Sequence, residues 1–570
     1  MEQNSDAPVF IETNQPSGHL RGSSRIDVIL HESRQFWEYL EENRVITHRS
    51  RCTVRPAFVH DKITLMLLIP MLVCTLTGLA LTGLRLSRPQ SRVSWWLAMI
   101  GALIAWGSVW SWQARLPIRL SQMSWEPLFH GSLRWLADGY SWPYALALTT
   151  VMAGVILTSV LYLPANLLAW AGMFLLTAIG LFSVTAENLL TLVLTWAALD
   201  IAELMTMLRS IPGERAGEAV TAFAIRLCGL GLVAWAGART DMLLDFTNVP
   251  TEAGLYLFFA AVLRLGVFPL HLPYSQETVL RRDYGSVLRL VSAASSLAVL
   301  SRLPLHAMTP VSVPLLMLTT LTALYGGYAW LRVSDEMTGR PFWVLGMSGL
   351  AMTAVLRGSP VGVTAWGAAL ILCGGILFLY SARHRLLTGL LLLGAFGLSA
   401  LPFSATASGW TGAGTLAWPF WILLLLAQAC LLGGYLRHAS HAGESSIESY
   451  PAWAQVIYSL GLTAFPISIL ALGAGGWPGA RMLGIWWAPP AVLLIAIALI
   501  WLTEHRRDRR GVLRQWNALP PLPLLYRWLR RLAGLTEKGI ALINGLLEGE
   551  GGMLWSLLLL ALLASLLTAR

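Results

Sequence analysis

Two acids and three arginines stand in this sequence where a chain of its composition seldom tolerates charge. Asp200 and Glu203 lie in the apolar run "LVLTWAALDIAELM". They are three residues apart, which puts both on one face of a helix. Arg226, Arg264 and Arg289 occupy three further apolar runs downstream. Charges at membrane depth are expensive and are normally paired or wetted. The set therefore admits either a buried ion-pair cluster or the stepping stones of an ion pathway. Arginine holds its proton at any biological pH, so Arg264 can pin an anion or order water but cannot pass a proton on. It is followed at once by helix breakers. The stretch "LRLGVFPLHLP" (263–273) carries Gly266, Pro269, His271 and Pro273. A proline removes a backbone donor and clashes with the preceding turn, so a helix broken between Gly266 and Pro269 is expected. Arg264 is expected to face inward and pair with Asp200 or Glu203. His271 joins the five charged residues as an ion-pathway candidate.

The elements that must position these residues follow from composition. The 570 residues are 56% hydrophobic and 12% charged, a chain whose solvent is mostly lipid. Counted in runs of roughly 17 to 25 apolar residues, the sequence holds about sixteen spans, centred from near residue 74 to near residue 560. The expected fold is all-α, a polytopic transmembrane bundle of about fourteen core helices with an extra C-terminal span. A β-barrel would show about ten-residue alternating segments instead. The expected division is a polar N-terminal tail with an amphipathic helix (1–61), the bundle (62–505), a basic amphipathic segment (506–549) and a last transmembrane helix (550–570). The odd-numbered loops hold most of the Lys and Arg, which places them in the cytoplasm. The basic tail conflicts with that assignment, because sixteen spans put both ends outside.

Other chemistry is not called for. There is no Walker loop, no GxGxxG after a strand and no His or Cys cluster at metal spacing. No metal, cofactor, redox centre or hydrolytic centre is legible. The net charge of +10 points to loops and lipid headgroups of the bilayer rather than to nucleic acid. Cys74, Cys228, Cys373 and Cys430 sit in apolar runs and read as buried thiols; Cys52 does not. Many of the 26 tryptophans fall near span ends and read as an interfacial belt.

Several stretches, in order, resemble the antiporter-like subunits of respiratory complex I, membrane hydrogenases and multi-subunit cation/proton antiporters. They are "LADGYS" (136–141), "AENLLTLVLTWAALDIAELM" (186–205), "GEAVTAFAIRLCGLGLVAWAG" (217–237), "AAVLRLGVFPLHLP" (260–273) and "LLLLGAFGLSALPF" (390–403). The resemblance implies that fold, a seventh helix broken in mid-membrane, and partners that are other membrane subunits. It also implies a proton relay of a glutamate on the fifth helix and lysines on later ones. Here the sequence departs: the glutamate position is Ala197, the sixth-helix lysine position Thr221, the seventh-helix lysine Arg264. On the eighth span Leu290 and Ser296 stand where His and Lys would. The only lysines are Lys62 and Lys538, both outside the spans. The expected function is a subunit of a complex-I-like, ion or inorganic-carbon transport complex, with a degenerate channel and a mainly architectural role. Two alternatives stay open. One is an active proton or sodium carrier using Asp200 and Glu203; the other is a free-standing transporter of an anionic substrate. A bacterial inner membrane is the expected location.

Overall fold

The computed structural model describes residues 57–87, 93–124, 132–162, 167–210, 216–268, 282–304, 312–441 and 445–508. The N-terminal tail, the basic amphipathic segment, the last span and residues Pro269, His271 and Pro273 lie outside the described residues. Fifteen α-helices are described, and each contains, in order, one of the first fifteen expected span centres. They are α1 (Ala57–Ser87), α2 (Val93–Trp112), α3 (Ser141–Thr158), α4 (Leu167–Val184) and α5 (Leu189–Ser210). Then come α6 (Ala216–Arg239), α7 (Thr251–Arg264), α8 (Arg282–Leu300), α9 (Ser312–Arg332) and α10 (Glu336–Leu356). The series closes with α11 (Pro360–Leu379), α12 (Arg385–Leu398), α13 (Trp418–His441), α14 (Ala452–Ala474) and α15 (Ala488–Asp508). Nine of the described helices are long and apolar enough to cross a membrane. Others fall short because they carry charge, as α8 does with Arg289, or because they are short, as α7 and α12 are.

Two helices are short for a physical reason. Both α7 and α12 have 14 residues, about 21 Å of helix against a hydrocarbon core of roughly 30 Å. The end of α7 is built by Gly266, whose φ of +66° is left-handed. Gly266 N–H donates to Leu263 O at 3.2 Å and Val267 N–H to Val262 O at 3.0 Å. That is the paired closure of a glycine-terminated helix, and it ends the helix before Pro269 is reached. Within the described residues it is Gly266 that closes α7.

The centre of the bundle is α3, α8 and α11. The apolar window of α11 is fully enclosed, and α3 packs on α2, α4, α8, α11 and α14. In contrast α1, α2 and α6 bury only a third or so of theirs. Indole N–H groups tie these helices laterally to backbone carbonyls: Trp142 to Val109 O at 3.0 Å, Trp112 to Met66 O at 3.0 Å, Trp343 to Leu370 O at 3.0 Å. Eight of the largest fully buried side chains are tryptophans, among them Trp112, Trp196, Trp330 and Trp366. Trp418 and Trp486 are exposed, whereas these eight are enclosed and cannot belong to an interfacial belt. Cys74, Cys373 and Cys430 are buried as expected, whereas Cys228 is exposed on α6, which corrects its place among the buried thiols.

Where α9 crosses α10, Gly326 and Gly346 meet backbone to backbone: a Cβ on Gly326 would lie 2.4 Å from Gly346 N. Small residues allow this approach in a lipid-solvated bundle. Gly326→Val is expected to destabilise the protein by about 1–3 kcal/mol, read as a lowered unfolding midpoint in detergent. An unchanged midpoint would show that α9 and α10 can part without cost.

The short strands went unread in the sequence. β1 (Ile118–Ser124) and β2 (Ser132–Ala137) form an antiparallel hairpin with an irregularity between Leu120 and Met123. It docks on the entry to α5, where Leu136 N–H donates to Thr185 O at 2.7 Å and Glu187 N–H to Arg134 O at 3.1 Å.

Candidate functional site

From Trp196 onward the buried positions on α5 are Trp196, Leu199, Asp200, Glu203 and Met207. This is the i, i+3, i+4 stripe of one helix face. Ala197, the family's glutamate position, falls on the partly exposed flank beside it, and Thr221 on α6 is exposed. Leu290 and Ser296 on α8 are buried.

The two acids meet all three arginines. Arg264 Nη1 donates to Asp200 Oδ2 at 2.5 Å, and its guanidinium lies 4.2 Å above the Trp196 ring. Glu203 is shared: Oε2 pairs with Arg226, and Oε1 accepts from Arg289 Nη1 at 3.4 Å. None of these five side chains is more than 3% exposed. Arg264 is the last residue of α7, where a cation also faces the negative end of the helix dipole. Gly229 makes room for it: a Cβ there would lie 3.0 Å from Ala260 O and 3.3 Å from Arg264 Cγ. The arrangement is an ion-paired pin tying α5, α6, α7 and α8 around the broken end of α7. Asp200 Oδ1 accepts no hydrogen bond among the described residues.

The second half repeats the geometry with different chemistry. At the end of α12, Gln428 of α13 donates to Leu398 O at 3.0 Å and accepts from Trp410 Nε1 at 2.8 Å. Thr406 Oγ1 donates to Gly397 O at 2.8 Å and accepts from Ala400 N–H at 2.9 Å. Left-handed backbone at Ala400 and Phe403 (φ +59° and +64°) turns the chain away. All these groups are neutral. Sequence reasoning passed over Gln428, although a lone amide in "WILLLLAQACLL" was a visible signal. Arg332, Arg357, Arg383 and Arg385 lie at helix ends, as the sequence suggested. Arg340 lies near the start of α10 but is fully buried. The halves are joined by Arg282 Nη1 to Glu336 Oε1 at 2.7 Å, from the start of α8 to the start of α10.

No protein-family model and no curated protein matches the chain. Solved structures do. A chain of the Mrp complex from Dietzia sp. DQ12-45-1b superposes with TM-score 0.64 at 16% identity, over 89% of this chain and 63% of that one. This chain thus spans less than two thirds of that relative. A chain of the membrane-bound sulfane sulfur reductase, an archaeal respiratory membrane complex, gives TM-score 0.58 at 13% identity, over 89% of this chain and 100% of its own. A chain of respiratory complex I from Thermus thermophilus gives 0.56 at 18%, over 76% and 99%. At these identities the likeness is one of fold. The chain is a multi-pass membrane protein with the antiporter-like fold, its seventh helix broken.

Proposed function

We propose that this chain is a membrane subunit of a larger complex of the complex-I, Mrp or inorganic-carbon transport kind, in which its role is mainly architectural and its proton channel degenerate. The observation that carries this reading is the chemistry at the two helix breaks. At the first, three guanidiniums hold two carboxylates; at the second, Gln428 and Thr406 satisfy the freed carbonyls with no charge at all. A relay needs groups that accept and release protons within reach of one another. Arginine cannot release one, and the series stops at the midpoint of the fold. Other membrane subunits are the expected partners, and the lightly buried α1, α2 and α6 are the surfaces available to them or to lipid. The Arg-rich odd loops favour a bacterial inner membrane with those loops in the cytoplasm.

A second reading has one observation in its favour. Asp200 Oδ1 is buried and accepts no described hydrogen bond, so this carboxylate could take a proton without losing a partner there. Proton flux into liposomes distinguishes the two, with the chain alone and in its copurified complex. Wild type and Asp200→Asn/Arg264→Leu, which removes Asp200 together with its counter-ion, are expected to carry the same background flux. A wild-type flux that the double variant abolishes, with assembly intact, would replace the architectural reading by a carrier.

A further inference from the structure

Away from the charged pin, a cavity of about 350 Å³ lies where β2, the entry to α5 and the end of α8 meet. Glu187 and Asp200 are 13 residues apart along the chain (200 − 187), about 20 Å at helical rise, so the two sites are separate. The polar wall includes Glu187, Asp138, Asp245 and Arg302; Leu300, Val355 and Val363 supply apolar surface. Each carboxylate has one guanidinium. Arg302 Nη2 meets Asp138 Oδ1 at 3.2 Å, Arg134 Nη1 meets Asp245 Oδ1 at 3.2 Å, and Arg119 Nη2 meets Glu187 Oε1 at 2.6 Å.

Glu187 stands apart from the other two. It is only 5% exposed, and its second oxygen, Oε2, is buried with no hydrogen-bond partner among the described residues. Its counter-ion Arg119 has a side chain 62% exposed, so water screens much of that charge. Burial pushes the Glu187 carboxyl up and Asp245 adds to the rise, while Arg119, Arg302 and Arg134 oppose it. A buried acceptor left unmade costs free energy that a donor brought by a ligand would recover. The described residues contain no group of three acids, histidines or cysteines placed to hold a metal ion. A hydrogen-bonding cation suits one orphan oxygen better than a bare metal does. The volume is at the small end of small-molecule sites, and the apolar wall suits a short carbon chain.

We propose that this cavity binds a small primary ammonium compound with a short alkyl body, its nitrogen donating to the Glu187 carboxylate and its carbons lying against Leu300, Val355 and Val363. The proposal does not depend on whether the chain conducts ions. The test is a titration of the purified full-length protein in detergent with n-butylammonium, ammonium and tetramethylammonium chlorides at matched ionic strength, read as the shift in unfolding midpoint. Butylammonium is expected to raise the midpoint saturably and more tightly than ammonium. Tetramethylammonium, with no N–H to donate, is expected to do nothing. Glu187→Gln keeps the size of the side chain and an oxygen for Arg119, and should weaken butylammonium roughly tenfold to a hundredfold, the loss of one charge-assisted hydrogen bond. Thr247→Trp, at an exposed lining position, should block binding by filling the cavity. Wild-type affinity in Glu187→Gln, or an equal response to tetramethylammonium, overturns the proposal. Should Glu187→Gln fail to fold, unchanged affinity in Thr247→Trp overturns it equally.

Discussion

Glu203→Leu is expected to cost the protein at least about 3–5 kcal/mol, the penalty for breaking a buried ion pair, and to do so at two pairs at once. Arg226 and Arg289 share that carboxylate from α6 and α8, and all three side chains are almost wholly enclosed. Removing it takes from both guanidiniums the carboxylate they share. Against a typical net stability of about 5–15 kcal/mol, that loss should sharply reduce the folded protein recovered from membranes. The check is the yield of monodisperse protein and its unfolding midpoint, with Glu203→Gln/Arg289→Gln alongside. The double variant removes one of the facing charges and should recover part of the loss. A Glu203→Leu protein as stable as wild type would mean that the arginines, not the glutamate, organise the cluster.

The second large effect is at the other pair. Arg264→Leu strands Asp200 beside Trp196 with no cation opposite, and should cost about 3–5 kcal/mol. The Asp200→Asn/Arg264→Leu double variant should regain most of it, because a neutral amide and an aliphatic side chain carry no uncompensated charge. The difference between the single and double variants is the informative quantity. If Arg264→Leu is as stable as wild type, Asp200 does not depend on Arg264. If both fall equally far, the lost contact with Trp196 and with Gly229 on α6 matters more than charge.

How far the sequence could be read depended on what each feature costs in lipid. Helices α1 to α15 were legible because a long run of apolar residues has few other uses, and even the charged α8 announced itself between polar stretches. The five charges were legible for the opposite reason, since none could face hydrocarbon. Which acid took which base was not, because Asp200 and Glu203 share a face and either could reach Arg264. The end of α7 was expected from Pro269, and among the described residues Gly266 closes it. A left-handed φ at Gly266 leaves no mark in sequence beyond the glycine itself. The β1–β2 hairpin carried a short alternation, with Ile118 and Leu120 buried around exposed Arg119, too brief to stand out beside twenty-residue spans. Gln428 escaped because a neutral amide raises no alarm, although it does at the second break what the ion pairs do at the first.

The order of the charges along the chain has a bearing on how the protein is made. The carboxylates of α5 emerge from the ribosome before Arg226, Arg264 and Arg289 of α6, α7 and α8. An arginine at the middle of a helix entering lipid alone costs roughly 2.5–3.5 kcal/mol on insertion scales. Each arginine helix instead reaches the insertion machinery when its counter-ion is already at hand. The acid-bearing helix thus acts as a template for the three that follow, and α7, too short to span by itself, is delivered to a partner already in place.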